Sequence, residues 1–217
     1  MKNILFKRSL VCGIILLFLG LCVTSSIGVN IKKTSNKLTK EAPANFLGGG
    51  LLAYWKLDEG SGNTAGDSSG HGYDGTVNGA TWVTGGLDFN GVDNYVNLDT
   101  HSVKLGYNKT DDYAIIVKFK STASGMMYST SHTDPARPYA DLKLESNGKI
   151  SFKTGDQSCL FDVTTAITYN NNQWHILEVL FYGSTTEPTV SIYVDNTLDG
   201  SLTKWLVFTI GSPIFSI

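Results

Sequence analysis

From residue 51 onward the apolar residues come in short runs broken by glycine, asparagine and aspartate, and none recurs at helical spacing over ten residues. A chain punctuated in this way does not build long amphipathic helices. It builds short strands joined by tight turns. The runs fall at residues 51–57 (LLAYWKL), 80–83, 87–89, 95–98, 113–120 (YAIIVKFK), 139–144, 149–153, 159–163, 173–182 (QWHILEVLFY), 189–195 (TVSIYVD) and 205–210. In the fifth of these Val117 and Phe119 alternate with Lys118 and Lys120, as in a sheet with one face covered. The run 173–182 is the longest, and its aromatic and β-branched content favours a central strand over a helix. Asn147-Gly148, between two runs, is the strongest hairpin signal in the chain. Residues 58–79 hold seven glycines and read as one long loop. Composition agrees, because 14 Asp against 5 Glu and 23 Gly favour turns over helices. The expected fold is an all-β antiparallel sandwich.

The first fifty residues have a different character. Lys2, Lys7 and Arg8 precede the apolar stretch 10–23 (LVCGIILLFLGLCV), and the small residues Thr24, Ser25, Ser26 and Gly28 follow it. That order is the pattern of a secretory leader over 1–28, cleaved near its end and lying outside the fold. An uncleaved anchor is the alternative, although the stretch is short for a bilayer span. Lipidation at Cys22 is a weak third option, since Leu21 is bulky for the residue before a lipidated cysteine. Residues 29–50 carry Lys32, Lys33, Lys37, Lys40 and Glu41, close on Gly48-Gly49-Gly50, and read as a flexible linker. The expected domain is 51–217, and the expected location is secreted or cell surface, with membrane contact only through an uncleaved leader.

Cleavage would leave Cys159 as the lone cysteine, so no internal disulfide is expected. It would also move the net charge from −2 to −5, with 14 basic residues against 19 acidic. No basic footprint for nucleic acid exists, and polyanions are poor partners for such a chain.

Three segments carry a family resemblance. The first runs Ala53-Tyr54-Trp55-Lys56-Leu57-Asp58-Glu59-Gly60-Ser61-Gly62 and on through Asp67-Ser68-Ser69-Gly70-His71-Gly72 to Gly75. The second is Leu87-Asp88-Phe89-Asn90-Gly91-Val92-Asp93-Asn94-Tyr95-Val96. The third is Gln173-Trp174-His175 leading a strand, then Ile192-Tyr193-Val194-Asp195. In order and spacing the chain resembles the laminin-G-like jelly-roll domains of the concanavalin A-like lectin/glucanase superfamily. There are two departures. Asn196 stands where the family usually has glycine, and the sequence ends soon after Ile210-Gly211, where the family continues into a closing strand. The resemblance therefore implies a jelly roll lacking its last strand, a C-terminally incomplete domain, with the edge along 51–57 left unpaired.

The loop from Asp67 is the expected metal site. Asp67, Ser69 and His71 stand at alternate positions followed by Gly72, as at the start of a Ca²⁺ loop, with Asp74 and Glu59 close by in sequence. Ca²⁺ takes six to eight oxygens, and glycine-rich turns expose carbonyls. The resemblance adds that many relatives bind Ca²⁺ with an Asp in this loop. The competing reading is that Asp67 caps its own turn through local hydrogen bonds. The histidines are scattered and Cys159 is alone, so zinc has no support, and His175 reads as a packed core residue. Gly60-x-Gly62 lacks the helix that a dinucleotide site needs.

For sugars, loop aromatics would stack on apolar sugar faces while polar groups bond hydroxyls. The candidates are Tyr73, Tyr107, Tyr128, Asp134 and Arg137, whereas Trp55, Trp82 and Trp174 read as core. Asn108-Lys109-Thr110 is a glycosylation acceptor at Asn108. The superfamily's glucanases place E-x-D-x-E on one strand, and none of the five glutamates here has that spacing. The expected function is an extracellular, non-catalytic module that binds carbohydrate or surface glycoconjugate with Ca²⁺ support. The alternative is an adhesion or spacer module that contacts other surface proteins. A glycosidase is the remote third class.

Overall fold

The computed structural model describes the backbone of residues 10–19 and residues 51–98, 112–130, 139–155, 160–184 and 186–204. These residues are all-β, with every named strand pair antiparallel and no helix among them. No helix among the described residues is long and apolar enough to cross a membrane.

The largest sheet has eight strands: β1 (Leu10–Leu19), β2 (Leu51–Trp55), β5 (Thr81–Val83), β6 (Gly86–Phe89), β8 (Tyr113–Ser121), β13 (His175–Tyr182), β14 (Thr189–Val194) and β15 (Thr197–Thr203). Its order is β15-β14-β13-β8-β1-β6-β5, with β2 also paired to β1. A second sheet runs β12 (Leu160–Thr164), β11 (Ile150–Gly155), β10 (Tyr139–Leu144) and β9 (Gly125–Ser129). The third is small: β3 (Thr64–Ala65), β4 (Gly75–Asn78) and β7 (Tyr95–Asn97).

The alternation seen in the sequence sets the layering. Ile115, Val117 and Phe119 on β8, Leu177 and Val179 on β13, and Val190 and Ile192 on β14 are all fully buried. They share a core with Leu142, Leu144, Ile150 and Phe152 from the four-stranded sheet. An aromatic contact joins the two sheets: Phe161 meets Phe181 edge-on at 5.5 Å, and within the large sheet the Tyr113 ring stacks on Phe181 at 4.9 Å. The Tyr113 hydroxyl lies 3.0 Å from Thr154 Oγ1 across the same core, and burial pushes that phenol well above its ordinary value. The architecture is sandwich-like.

Turn chemistry follows the residues. At Asn147-Gly148, Gly148 takes a φ of 81°, and an added Cβ would run into the side chain of Asn170. Asp195 and Asn196 form the two-residue connection from β14 to β15 with φ of 50° and 65°. Positive φ at both central residues is the type I′ hairpin, which Asn tolerates and Gly tolerates better. Asn196→Gly should therefore raise the unfolding free energy by about 0.5 to 1 kcal/mol. A thermal melt that moved down instead would show that the Asn196 side chain contributes contacts the turn needs.

Two expectations meet a different arrangement. The segment 10–19, expected to stand outside the fold, is strand β1 at the centre of the large sheet. An uninterrupted apolar run forms a strand as readily as it serves as a leader's apolar core. Consequently the edge along 51–57, expected to be unpaired, is paired: Leu16 lies opposite Tyr54 and Leu17 opposite Ala53. The expected strand at 205–210 lies outside the described residues.

Candidate functional site

The Asp67 loop gathers most of the residues that the sequence proposed. An isolated bridge pairs Asp67 with Trp55 at the end of β2, and this holds the loop against the sheet. The carboxylate then collects donors. Oδ1 accepts from the Tyr54 and Ser69 amides, both at 2.9 Å, and Oδ2 from Ser69 Oγ at 2.7 Å and the Tyr73 amide at 2.9 Å. Burial alone would push this carboxyl up, but the four hydrogen bonds outweigh it and hold Asp67 below its ordinary value. Around this centre the Asp67 amide donates to Asp74 Oδ1 at 2.8 Å, and the Gly66 amide to Glu59 Oε1 at 2.8 Å. Ser69 Oγ lies 3.1 Å from His71 Nδ1, and His71 stacks on Tyr73 at 5.8 Å. Trp55 Nε1 donates to the Tyr73 carbonyl at 2.7 Å, which ties the loop to the core.

Glu59, Asp67, Ser69, His71, Tyr73 and Asp74 are thus neighbours. Three amides and one hydroxyl point at Asp67, where Ca²⁺ would need oxygens converging on an open position. Among the described residues no three His, Cys, Asp or Glu side chains are grouped to hold a metal. With these four donors the Asp67 carboxylate acts as the pin of a multi-residue turn.

The other expected ligand residues are dispersed. Tyr128 is corrected: it lies on β9 rather than a loop, and at 2% exposure it is a core side chain. The reason is packing, since the short GMMYS run pairs with β10 and carries Met127 and Tyr128 inward. Tyr107, Asp134, Arg137 and the acceptor Asn108 lie outside the described residues. His175 is buried as expected, with Nδ1 2.7 Å from Asp195 Oδ2 and Nε2 2.9 Å from Asn171 Oδ1. Trp55 is core, and Trp82 is half-buried, donating to the Gly62 carbonyl at 2.7 Å.

Trp174 is the departure. Expected in the core, it is 38% exposed beside the first residue of β13, with Lys118 Nζ 4.6 Å and Lys120 Nζ 5.7 Å from its ring centroid. Because His175 pairs with Phe119, the side chains flanking that pair point the opposite way, out of the core. The outer face of the sheet continues from there. Ile176 pairs with Lys118, Glu178 with both Ile116 and Tyr193, and Leu180 with Ala114 and Ser191. Tyr182 ends the row at 43% exposure. Hydroxyls line its far side, where Ser191 Oγ lies 3.2 Å from Ser201 Oγ and Thr189 Oγ1 2.8 Å from Thr203 Oγ1. Burial lifts the Glu178 carboxyl above its ordinary value, and burial, then Tyr193 and Asp112, lift the Tyr182 phenol. The face therefore combines exposed aromatic rings, hydroxyls, two lysines and a partly desolvated carboxyl.

No family model matches the chain, and neither does any curated protein or solved structure. Sequence reading missed the outer face because a strand's period shows which residues share a side but not which strands lie next to each other. The alternation of Lys118 and Lys120 was the one local signal that this side is open.

Proposed function

We propose that this chain is a non-catalytic binding module of jelly-roll, concanavalin A-like type, with the outer face of the large sheet as its ligand platform and neutral carbohydrate as the ligand. The observation that carries the reading is Trp174, an aromatic ring held open to solvent and flanked by Lys118 and Lys120. Aromatic faces stack on the apolar faces of sugar rings, while neighbouring hydroxyl, ammonium and carboxyl groups bond the sugar hydroxyls. Glu178, Ser201 and the Thr189–Thr203 pair supply such groups on the same side of the sheet.

One further observation favours a second reading, an adhesion or spacer module pressing this face on a protein. Leu198 is 52% exposed and pairs with Tyr193 at the edge of the same face.

A glycan array probed with the full chain tests the proposal. Wild type should give discrete hits, and Trp174→Ala should weaken them at least tenfold while leaving the melting temperature within a few degrees. A uniformly blank array, or hits that Trp174→Ala leaves unchanged, would overturn the sugar platform. A blank array would leave the protein-contact reading in its place.

A further inference from the structure

The outward side chains of β13, with the residue before it, form a single row. Trp174 stands at one end and Tyr182 at the other, with Ile176, Glu178 and Leu180 between them. The alternate residues His175, Leu177, Val179 and Phe181 are buried in the core. At about 3.3 Å per residue, roughly 13 Å separates Trp174 from Glu178 along the strand, and about as much again separates Glu178 from Tyr182. The two ends are the open ones. Both rings are exposed, whereas Ile176, Glu178 and Leu180 are half-buried.

Glu178 is the member of the row whose polar group is unsatisfied. Its register neighbours are Ile116 on β8 and Tyr193 on β14, and among the described residues no hydrogen bond or ion pair holds its carboxyl. Burial lifts that carboxyl above its ordinary value. A partly desolvated carboxylate without a donor is a standing cost, and a ligand that brings donors removes it. A carboxylate only accepts, through two oxygens, so a pair of adjacent hydroxyls matches it. Lys118 and Lys120 at the Trp174 end of the row disfavour a cationic ligand.

From this row we propose that the ligand is an extended polysaccharide chain lying along β13, its outer units stacked on Trp174 and Tyr182 and an inner unit giving two hydroxyl hydrogen bonds to Glu178. The assignment rests on the carbohydrate platform reading, and it adds the direction of the chain, its minimum length and the residue that selects the inner unit. A disaccharide cannot touch both rings, so a short ligand meets one end of the row and only a longer one meets all three contacts. Such a chain must stay straight over the length of the strand, as β-1,4-linked glucose or mannose does. A crosswise path would run from Ile116 through Glu178 and Tyr193 to Leu198, and would meet neither end ring. Its one aromatic, Tyr193, is half-buried, whereas the lengthwise path has an exposed ring at each end.

The test is a calorimetric titration of the full chain with β-1,4-linked glucose and mannose oligomers, from disaccharide to hexasaccharide. Affinity should climb about tenfold or more with length and level off once both rings are reached, because each added contact is intramolecular. Tyr182→Ala should bring the hexasaccharide down to the affinity of a shorter oligomer. Glu178→Gln keeps the shape and loses the charge. It should weaken the hexasaccharide about tenfold, since hydrogen bonds to a charged acceptor are the stronger class. Without ligand, Glu178→Gln should melt no lower than wild type, because no bond within the fold depends on that carboxylate. A lower melting temperature would overturn the proposal by showing that Glu178 serves the fold. Affinity independent of length, or unchanged by Tyr182→Ala or by Glu178→Gln, would overturn the lengthwise chain even where Trp174→Ala still weakened binding and the platform stood. Binding to none of these oligomers would overturn it too, and the glycan array would then decide the platform separately.

Discussion

Trp55→Ala should lower the unfolding free energy by about 4 kcal/mol, the largest loss expected from any single side chain in this domain. Trp55 is 1% exposed at the end of β2 and belongs to the central cluster. Burying an indole removes on the order of 200 Å² from water, worth about 5 kcal/mol, and truncation leaves a cavity that a close-packed interior only partly closes. A second part of the loss is polar. The indole Nε1 donates to the Tyr73 carbonyl at 2.7 Å, so alanine also leaves that carbonyl without its donor. Trp55→Phe separates the two. It keeps most of the apolar volume, loses the hydrogen bond, and should cost about half as much. Urea titration gives the check, with the midpoint shifting and the slope unchanged. A loss below about 1 kcal/mol for Trp55→Ala would mean that the indole is not the core side chain described, because no well-packed tryptophan is removed so cheaply.

Much of this fold is written in short-range pattern. The alternating run at 189–195 became β14, Tyr139–Leu144 became β10 with the bounds its pattern suggests, and Asn147-Gly148 turned β10 into β11. The failures have physical causes. The strand β15 was missed because TLDGSLT is polar and carries a glycine, and an edge strand needs no apolar row to be held by its ladder. The strands β3 and β4 were hidden inside a loop that glycine content dominates, since two to four residues are too few to show a period.

The candidate site divides in the same way. Local spacing grouped Asp67, Ser69, His71 and Asp74 with Glu59, and the fold keeps them near one another because turns are short-range objects. It did not reveal that the atoms facing Asp67 are donors, since that depends on the Tyr54 amide thirteen residues earlier in the chain. For Trp174 the obstacle was facing. A tryptophan at the mouth of a buried strand reads as core until the pairing of His175 with Phe119 fixes which side is outward.

Asp67→Asn should cost about 2 to 3 kcal/mol at neutral pH, and the cost should shrink in acid. The carboxylate accepts four hydrogen bonds, from the Tyr54, Ser69 and Tyr73 amides and from Ser69 Oγ. Hydrogen bonds to a charged acceptor are the stronger class, and half-burial of the side chain discounts their sum. Asparagine keeps one acceptor oxygen and turns a nitrogen toward donors that cannot bond it. Burial pulls the Asp67 carboxyl upward while these bonds pull it down, and the net displacement is downward. A lowered folded value means that ionised Asp67 stabilises the fold fully above the unfolded value near 4, and that this share is lost as pH falls through the folded value. Wild type should therefore lose stability below about pH 4 more steeply than Asp67→Asn, and the two curves should converge toward pH 2. Glu145 is lowered as well, burial being outweighed by its bonds to Lys143 and Ser151, but it is present in both proteins and cancels in the difference. Thermal melts from pH 7 to pH 2 measure this directly. Millimolar Ca²⁺ added to both proteins provides the opposing outcome. A rise in melting temperature confined to wild type would show that a cation, rather than four protein donors, is what Asp67 holds, because a ligand of the folded state stabilises by mass action. With the donors arranged as they are, each protein should keep its own melting temperature whether or not the ion is present.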